Sequence, residues 1–167
     1  MAKLEKILMR VSTYLVYIGA ICLFVMMFID TVNIIGVKLG LTVIPSGKTL
    51  IEELMTAVVF AGLGYVLLRD QHIKTEIVKK HFSPFVRFVT NLINYLLVIL
   101  ISGFIFWENF PTAVDYLRNN VTSPADIPIP MGPFFLLLAV SFLNLALAGA
   151  FLLLRECVSK VVHNDDS

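Results

Sequence analysis

The sequence predicts an all-α integral membrane protein with four transmembrane helices, short amphipathic interfacial helices and both termini in the cytoplasm. Three observations predict it. Of the 167 residues, 58% are hydrophobic and only 15% are charged, with a mean hydropathy of +0.87; a soluble domain is about half apolar and about a quarter charged. The apolar residues fall into four long runs, and a bilayer core of about 30 Å takes roughly 20 helical residues. Lys and Arg concentrate in alternate connections, the pattern of cytoplasmic segments. The formal net charge of +1 gives no global attraction to nucleic acid. Cys22 and Cys157 are the two cysteines and share no CxxC or metal spacing, which excludes a disulfide framework and a thiol-exchange enzyme.

The elements follow in order within a single membrane domain. Lys3, Lys6 and Arg10 share one helical face, and Leu4, Ile7, Leu8 and Val11 share the other. Residues 3–10 therefore suit a cytoplasmic interfacial helix running into the first span. That span covers about 11–35 and is too long, and lacks the small-residue cleavage pattern, for a removed signal peptide. Gly36 and Gly40 can end it. The second span covers about 50–68, and Thr49-Leu50-Ile51-Glu52 fits a capping box that opens it. The third covers about 86–107, behind an N-cap serine and first-turn proline at Ser83-Pro84. Trp107, Phe110, Val114, Leu117 and Val121 then recur at helical spacing, with Glu108, Asp115 and Arg118 between them. This reads as a second surface helix over 108–121, on the outer side. Gln71–Phe82 is a weaker amphipathic segment. Pro124, Pro128, Pro130 and Pro133 form a stiff, extended entry to the fourth span, about 131–154.

Counting Lys and Arg gives ten in the N-terminal tail, second connection and C-terminal tail, against three in the first and third connections. Both termini are expected inside, with the first and third connections outside.

Inside the membrane the informative feature is scarcity of charge. The central turns of spans two, three and four carry no Asp, Glu, Lys, Arg or His, and span one carries only Asp30, near its outer end. An intramembrane ionisable group is the default mark of a solute path, so this chain alone is not expected to be a complete carrier. His72, His81 and His163 lie outside the spans, so no axial haem ligand is available within a helix. No hydrolase, zinc-protease or phosphate-loop motif is present.

The remaining polar and small residues look like glue. Ala57, Ala61 and Gly64 line one face of span two; Asn91, Asn94 and Ser102 lie on one side of span three; Ser141, Asn144 and Ala148 share a face of span four. Such seams let helices approach closely and hydrogen-bond. They are expected to close the four-helix unit itself, with docking of a partner chain as the alternative. Glu52 and Glu53 begin span two, where a helix dipole favours carboxylates; Glu53 exceeds what capping needs and is a candidate for interchain pairing. Arg69, Asp70 and His72 end that span, where snorkelling and cytoplasmic anchoring are the favoured account and an interchain contact the alternative. Trp107 and Tyr116 fit an interfacial aromatic belt.

Together these features resemble the small permease subunit, DctQ-type, of tripartite ATP-independent periplasmic (TRAP) transporters. The resemblance covers roughly Leu4 to Leu154. It rests on the four spans and on the acidic opening Thr49-Leu50-Ile51-Glu52-Glu53-Leu54. It rests also on Phe60-Ala61-Gly62-Leu63-Gly64-Tyr65 leading to Leu68-Arg69-Asp70-Gln71-His72-Ile73, and on Ser123-Pro124 with Ile127-Pro128 and Pro130 before span four. Met131 departs from the tryptophan of many members. The resemblance implies a bacterial inner-membrane scaffold for a large elevator-type permease subunit, which carries the substrate and sodium sites. It implies no cofactor in this chain, and a periplasmic substrate-binding protein as second partner. Membrane lipids complete the partners. Carried onto this sequence, Glu52, Glu53, Arg69, Asp70 and His72 are candidate interface or anchoring residues. Trp107, Asp115, Arg118, Pro124 and Pro128 mark a candidate docking surface for the binding protein. Organic acids are the implied substrates, with sialic acid ahead of C4-dicarboxylates. The rival readings are a small homodimeric exporter, in which Asp30 would be the embedded carboxylate, and a membrane anchor for an oxidoreductase.

Overall fold

The computed structural model describes residues 2–40, 47–69, 84–123 and 128–165. They form α1 (Ala2–Lys38), α2 (Gly47–Ala61), α3 (Leu63–Arg69), α4 (Pro84–Arg118) and α5 (Gly132–Asp165). Four helical stretches are long and apolar enough to cross a membrane: Lys3–Lys38, Gly47–Arg69, Phe88–Arg118 and Gly132–Val158. The second of these is α2 and α3 together, parted at Gly62, whose carbonyl accepts the Val66 N–H at 3.0 Å. The fold is thus the expected all-helical, four-span architecture.

The two surface segments are helical but not separate. Residues 3–10 are the opening turns of α1, which has 37 residues and at 1.5 Å per residue is about 55 Å long. Residues 108–118 continue α4 straight through Trp107. Extending an existing helix avoids a second costly nucleation, and nothing between Trp107 and Phe110 supplies a stop. Pro111 lies inside α4 and deletes only the hydrogen bond to the Trp107 carbonyl. Nearby, Asn109 Nδ2 donates to the Ile105 carbonyl at 2.8 Å and Thr112 Oγ1 to the Glu108 carbonyl at 3.2 Å. The expected cap at Thr49 also shifts, because α2 already starts at Gly47. Gly47 is buried beside the Asn33 side chain of α1.

The helix ends have local causes. Gly36 stays helical, and α1 stops at Gly40, whose φ of +67° is the left-handed geometry glycine accepts. α4 stops at Asn120, with φ of 48°. There the Val121 N–H reaches back to the Tyr116 carbonyl at 3.0 Å, a left-handed C-terminal closure. The connection to α5 then pairs with itself. Ser123 N–H donates to the Ile129 carbonyl at 2.9 Å and Met131 N–H to the Val121 carbonyl at 3.1 Å, so that Thr122 faces Pro130 in an antiparallel bridge. Pro130 occupies the position in this bridge whose N–H has no bond to make. Tyr116 meets Phe135 edge-on at 4.9 Å, tying the two helix ends together.

α5 is the central helix. Its most apolar stretch is 44% buried, against 17–22% in the other spans. It packs along α4 on one side and against α1, α2 and α3 on the other; among the described residues α4 makes no extended contact with those three. The described residues form a group of three spans (α1, α2 with α3, and α5), with α4 attached to its central member α5. A core of Leu8, Leu68, Tyr95, Ala148, Phe151 and Leu152 fills the end where α1 begins. Phe60 and Phe142 meet at 5.1 Å nearer the other end.

Candidate functional site: polar nodes and exposed edges

The seams expected to close the unit do so. Ala57, Ala61 and Gly64 are buried, as are Ser141, Asn144 and Ala148. The two stripes meet at one node. Asn144 Nδ2 on α5 donates to Ser12 Oγ on α1 at 2.9 Å, with both residues buried. Gly64 on α3 lies directly against the pair: a Cβ there would collide with Asn144 Nδ2 and sit 3.4 Å from Ser12 Oγ. Glycine is therefore required by close approach. Asn144 Oδ1 is buried without a hydrogen-bond partner. Sequence reasoning found Asn144 and Gly64 but missed Ser12. The available signal was a polar residue on the stripe Leu8, Ser12, Leu15, Gly19, all of which are buried.

A second node sits at the end of the bundle where α1 begins. Asn91 Nδ2 donates to Glu156 Oε1 at 2.9 Å, and Arg155 pairs with Glu5 at 3.6 Å. Asn91 is buried as expected, whereas Asn94 is exposed. Glu5 and Glu156 were not singled out from sequence, because neither lies in an apolar run. Two further buried hydroxyls close on their own helices: Ser102 donates to the Val98 carbonyl and Ser141 to the Leu137 carbonyl at 2.7 Å. Among the described residues the buried polar side chains are thus neutral, and the donors of Asn91, Ser102, Ser141 and Asn144 are directed at neighbours already in the fold. Among the described residues no three His, Cys, Asp or Glu converge as a metal set.

The edge residues divide. Glu52 is exposed and Glu53 half-buried at the start of α2, and neither has a cationic partner among the described residues. Arg69 is exposed, its guanidinium 5.3 Å over the Tyr65 ring. Asp70, His72 and Pro124 lie outside the described residues. Asp115 accepts a hydrogen bond from Asn119 Nδ2 at 2.8 Å, and Arg118 and Pro128 are exposed at the same end of the molecule. Trp107, 76% exposed, stands about 16 Å down α4 from Arg118 and does not join that cluster. Asp30 is exposed on α1 rather than embedded in the bundle.

A polytopic helical membrane protein whose buried polar side chains are neutral Ser and Asn is the class these features define. Residues 27–158 match the family described as tripartite ATP-independent periplasmic transporters, DctQ component, and the chain belongs to that family. It is a small membrane subunit of a TRAP transporter, a transport component and not an enzyme, and it works with partner subunits. Searches of curated proteins and of solved structures found no match.

Proposed function

We propose that the chain is the stationary scaffold of a sodium-coupled organic-acid transporter in a bacterial inner membrane. The carrying observation is the contrast between its interior and its perimeter. The buried polar groups are neutral Ser and Asn, which suits a rigid holder more than a solute path. The perimeter carries long apolar faces, such as Ile93, Leu97, Leu100, Phe104 and Trp107 on α4. A large permease subunit holding the substrate and sodium sites is the partner for such a face. Glu52, Glu53, Arg69, Asp70 and His72 contribute interface or anchoring contacts. Asp115, Arg118, Pro124 and Pro128 offer the surface for a periplasmic binding protein, and Trp107, about 16 Å away along α4, belongs instead to the apolar face. Sialic acid is the favoured cargo and C4-dicarboxylates the alternative.

The test is uptake in liposomes. The chain alone is expected to give no sodium-dependent accumulation of sialic acid or C4-dicarboxylate, and addition of its large permease subunit and binding protein restores it. Sodium-driven uptake by this chain alone overturns the proposal.

A further inference from the structure

We propose that the opening turns of α1 form a binding site for the phosphate headgroup of an anionic phospholipid. Lys6, Met9, Arg10, Thr13, Tyr14 and Tyr17 line an open cleft of about 390 Å³. The segment precedes residues 27–158, the part matched to the family.

Charge is the first argument. Lys6 and Arg10 are four residues apart on one helical face, where like charges repel and weaken the helix. Neither has an anionic partner among the described residues; the nearby Glu5 carboxylate faces Arg155 at 3.6 Å. A phosphate between the two cations converts that repulsion into attraction. Depth is the second. Four residues rise about 6 Å, so Tyr14 lies one turn, and Tyr17 nearly two turns, further into the apolar run than Arg10. Cation first and aromatic next is the order of the headgroup and interfacial layers. Thr13 Oγ1 is already bonded to the Met9 carbonyl at 2.7 Å, which leaves the cations and tyrosine hydroxyls as the polar contacts.

Continuity selects a lipid over a free phosphate. Beyond the cleft the same helix exposes Ile18, Ile21, Phe24 and Phe28, an apolar track for an acyl chain. A soluble phosphate uses only the upper half of this surface. The site requires only that α1 spans the bilayer and is independent of the solute carried.

The experiment is native mass spectrometry of the full chain, in neutral detergent with equal amounts of dioleoyl phosphatidylglycerol and dioleoyl phosphatidylcholine. Phosphatidylglycerol adducts are expected to exceed phosphatidylcholine adducts by about tenfold. Lys6→Gln with Arg10→Gln brings the ratio close to one. Lys6→Arg with Arg10→Lys keeps it, and so does Lys48→Gln at the opposite end of the bundle. Lys6→Met alone gives an intermediate ratio and keeps the test readable if the double variant fails to fold. Equal retention of the two lipids, or a preference that survives loss of both cations, overturns the site. Displacement of phosphatidylglycerol by millimolar inorganic phosphate also overturns it, because the ligand is then the phosphate rather than the lipid.

Discussion

Gly64, Asn144 and Ser12 hold three helices at one point, and their coupling is measurable. Gly64→Ala puts a methyl group where the Asn144 amide lies, a crowding that costs about 1–3 kcal/mol. Asn144→Ala removes a buried interhelical amide worth about 0.6–2 kcal/mol. The double variant is expected to cost less than the sum, since removing the amide makes room for the methyl. Thermal unfolding of the four proteins in one detergent measures the cycle, and strict additivity refutes the node. The Glu5–Arg155 pair is a contrasting case, with the two side chains 46% and 48% exposed. Glu5→Gln is expected to change stability by less than about 1 kcal/mol in the same assay. Residue roles were legible where a side chain was out of place for its surroundings. Asn144 in an apolar run announces a buried bond. Its acceptor is a serine 132 positions away, and a serine in a helix has several uses, so its role emerges only from packing. Glu156 escaped notice for the opposite reason, since a carboxylate just past an apolar run looks solvated.

At the scale of the element, hydropathy located the four spans because the bilayer demands length and apolarity together. It did not locate the helix ends. A drop in hydropathy marks where hydrocarbon stops, while a helix stops where the backbone is capped. Hence α4 runs to Arg118, well past the end of its apolar run, and stops at Asn120 in left-handed geometry. Asn120→Gly is expected to be neutral or slightly stabilising, and Asn120→Val to cost about 1–2 kcal/mol, read from unfolding midpoints. Loss of stability in the glycine variant contradicts the assigned geometry. The attachment of α4 is testable as well. A Cβ on Gly149 would lie 3.3 Å from Val98 Cγ1, close enough for a disulfide after modest adjustment. In a background without Cys22 and Cys157, Val98→Cys with Gly149→Cys is expected to cross-link within the chain. Phe24→Cys with Leu100→Cys, exposed on α1 and α4, is expected not to. Mass analysis of the oxidised protein distinguishes the two, and the reverse pattern refutes the helix order.

For the whole molecule, the charge asymmetry predicts a topology that the packing alone does not set. An impermeant maleimide is expected to label Lys3→Cys from the cytoplasmic side and Pro128→Cys from the outside, in intact cells compared with inverted vesicles. Labelling of both from one side breaks the four-crossing topology, and exchange of the two sides reverses the assigned orientation. Because among the described residues α4 touches only α5 extensively, the described helices are arranged closer to a raft than to a ring. A raft presents more circumference per rod to its solvent than a ring of equal membership. In a bilayer that solvent is two-dimensional, so the tendency of copies to collide is set by their mole fraction among lipids rather than by bulk molarity. An orphan copy should therefore drift from dispersed to clustered as membranes are enriched in protein and back again as they are diluted with lipid, and stoichiometric supply of a wall to lean on should abolish that drift.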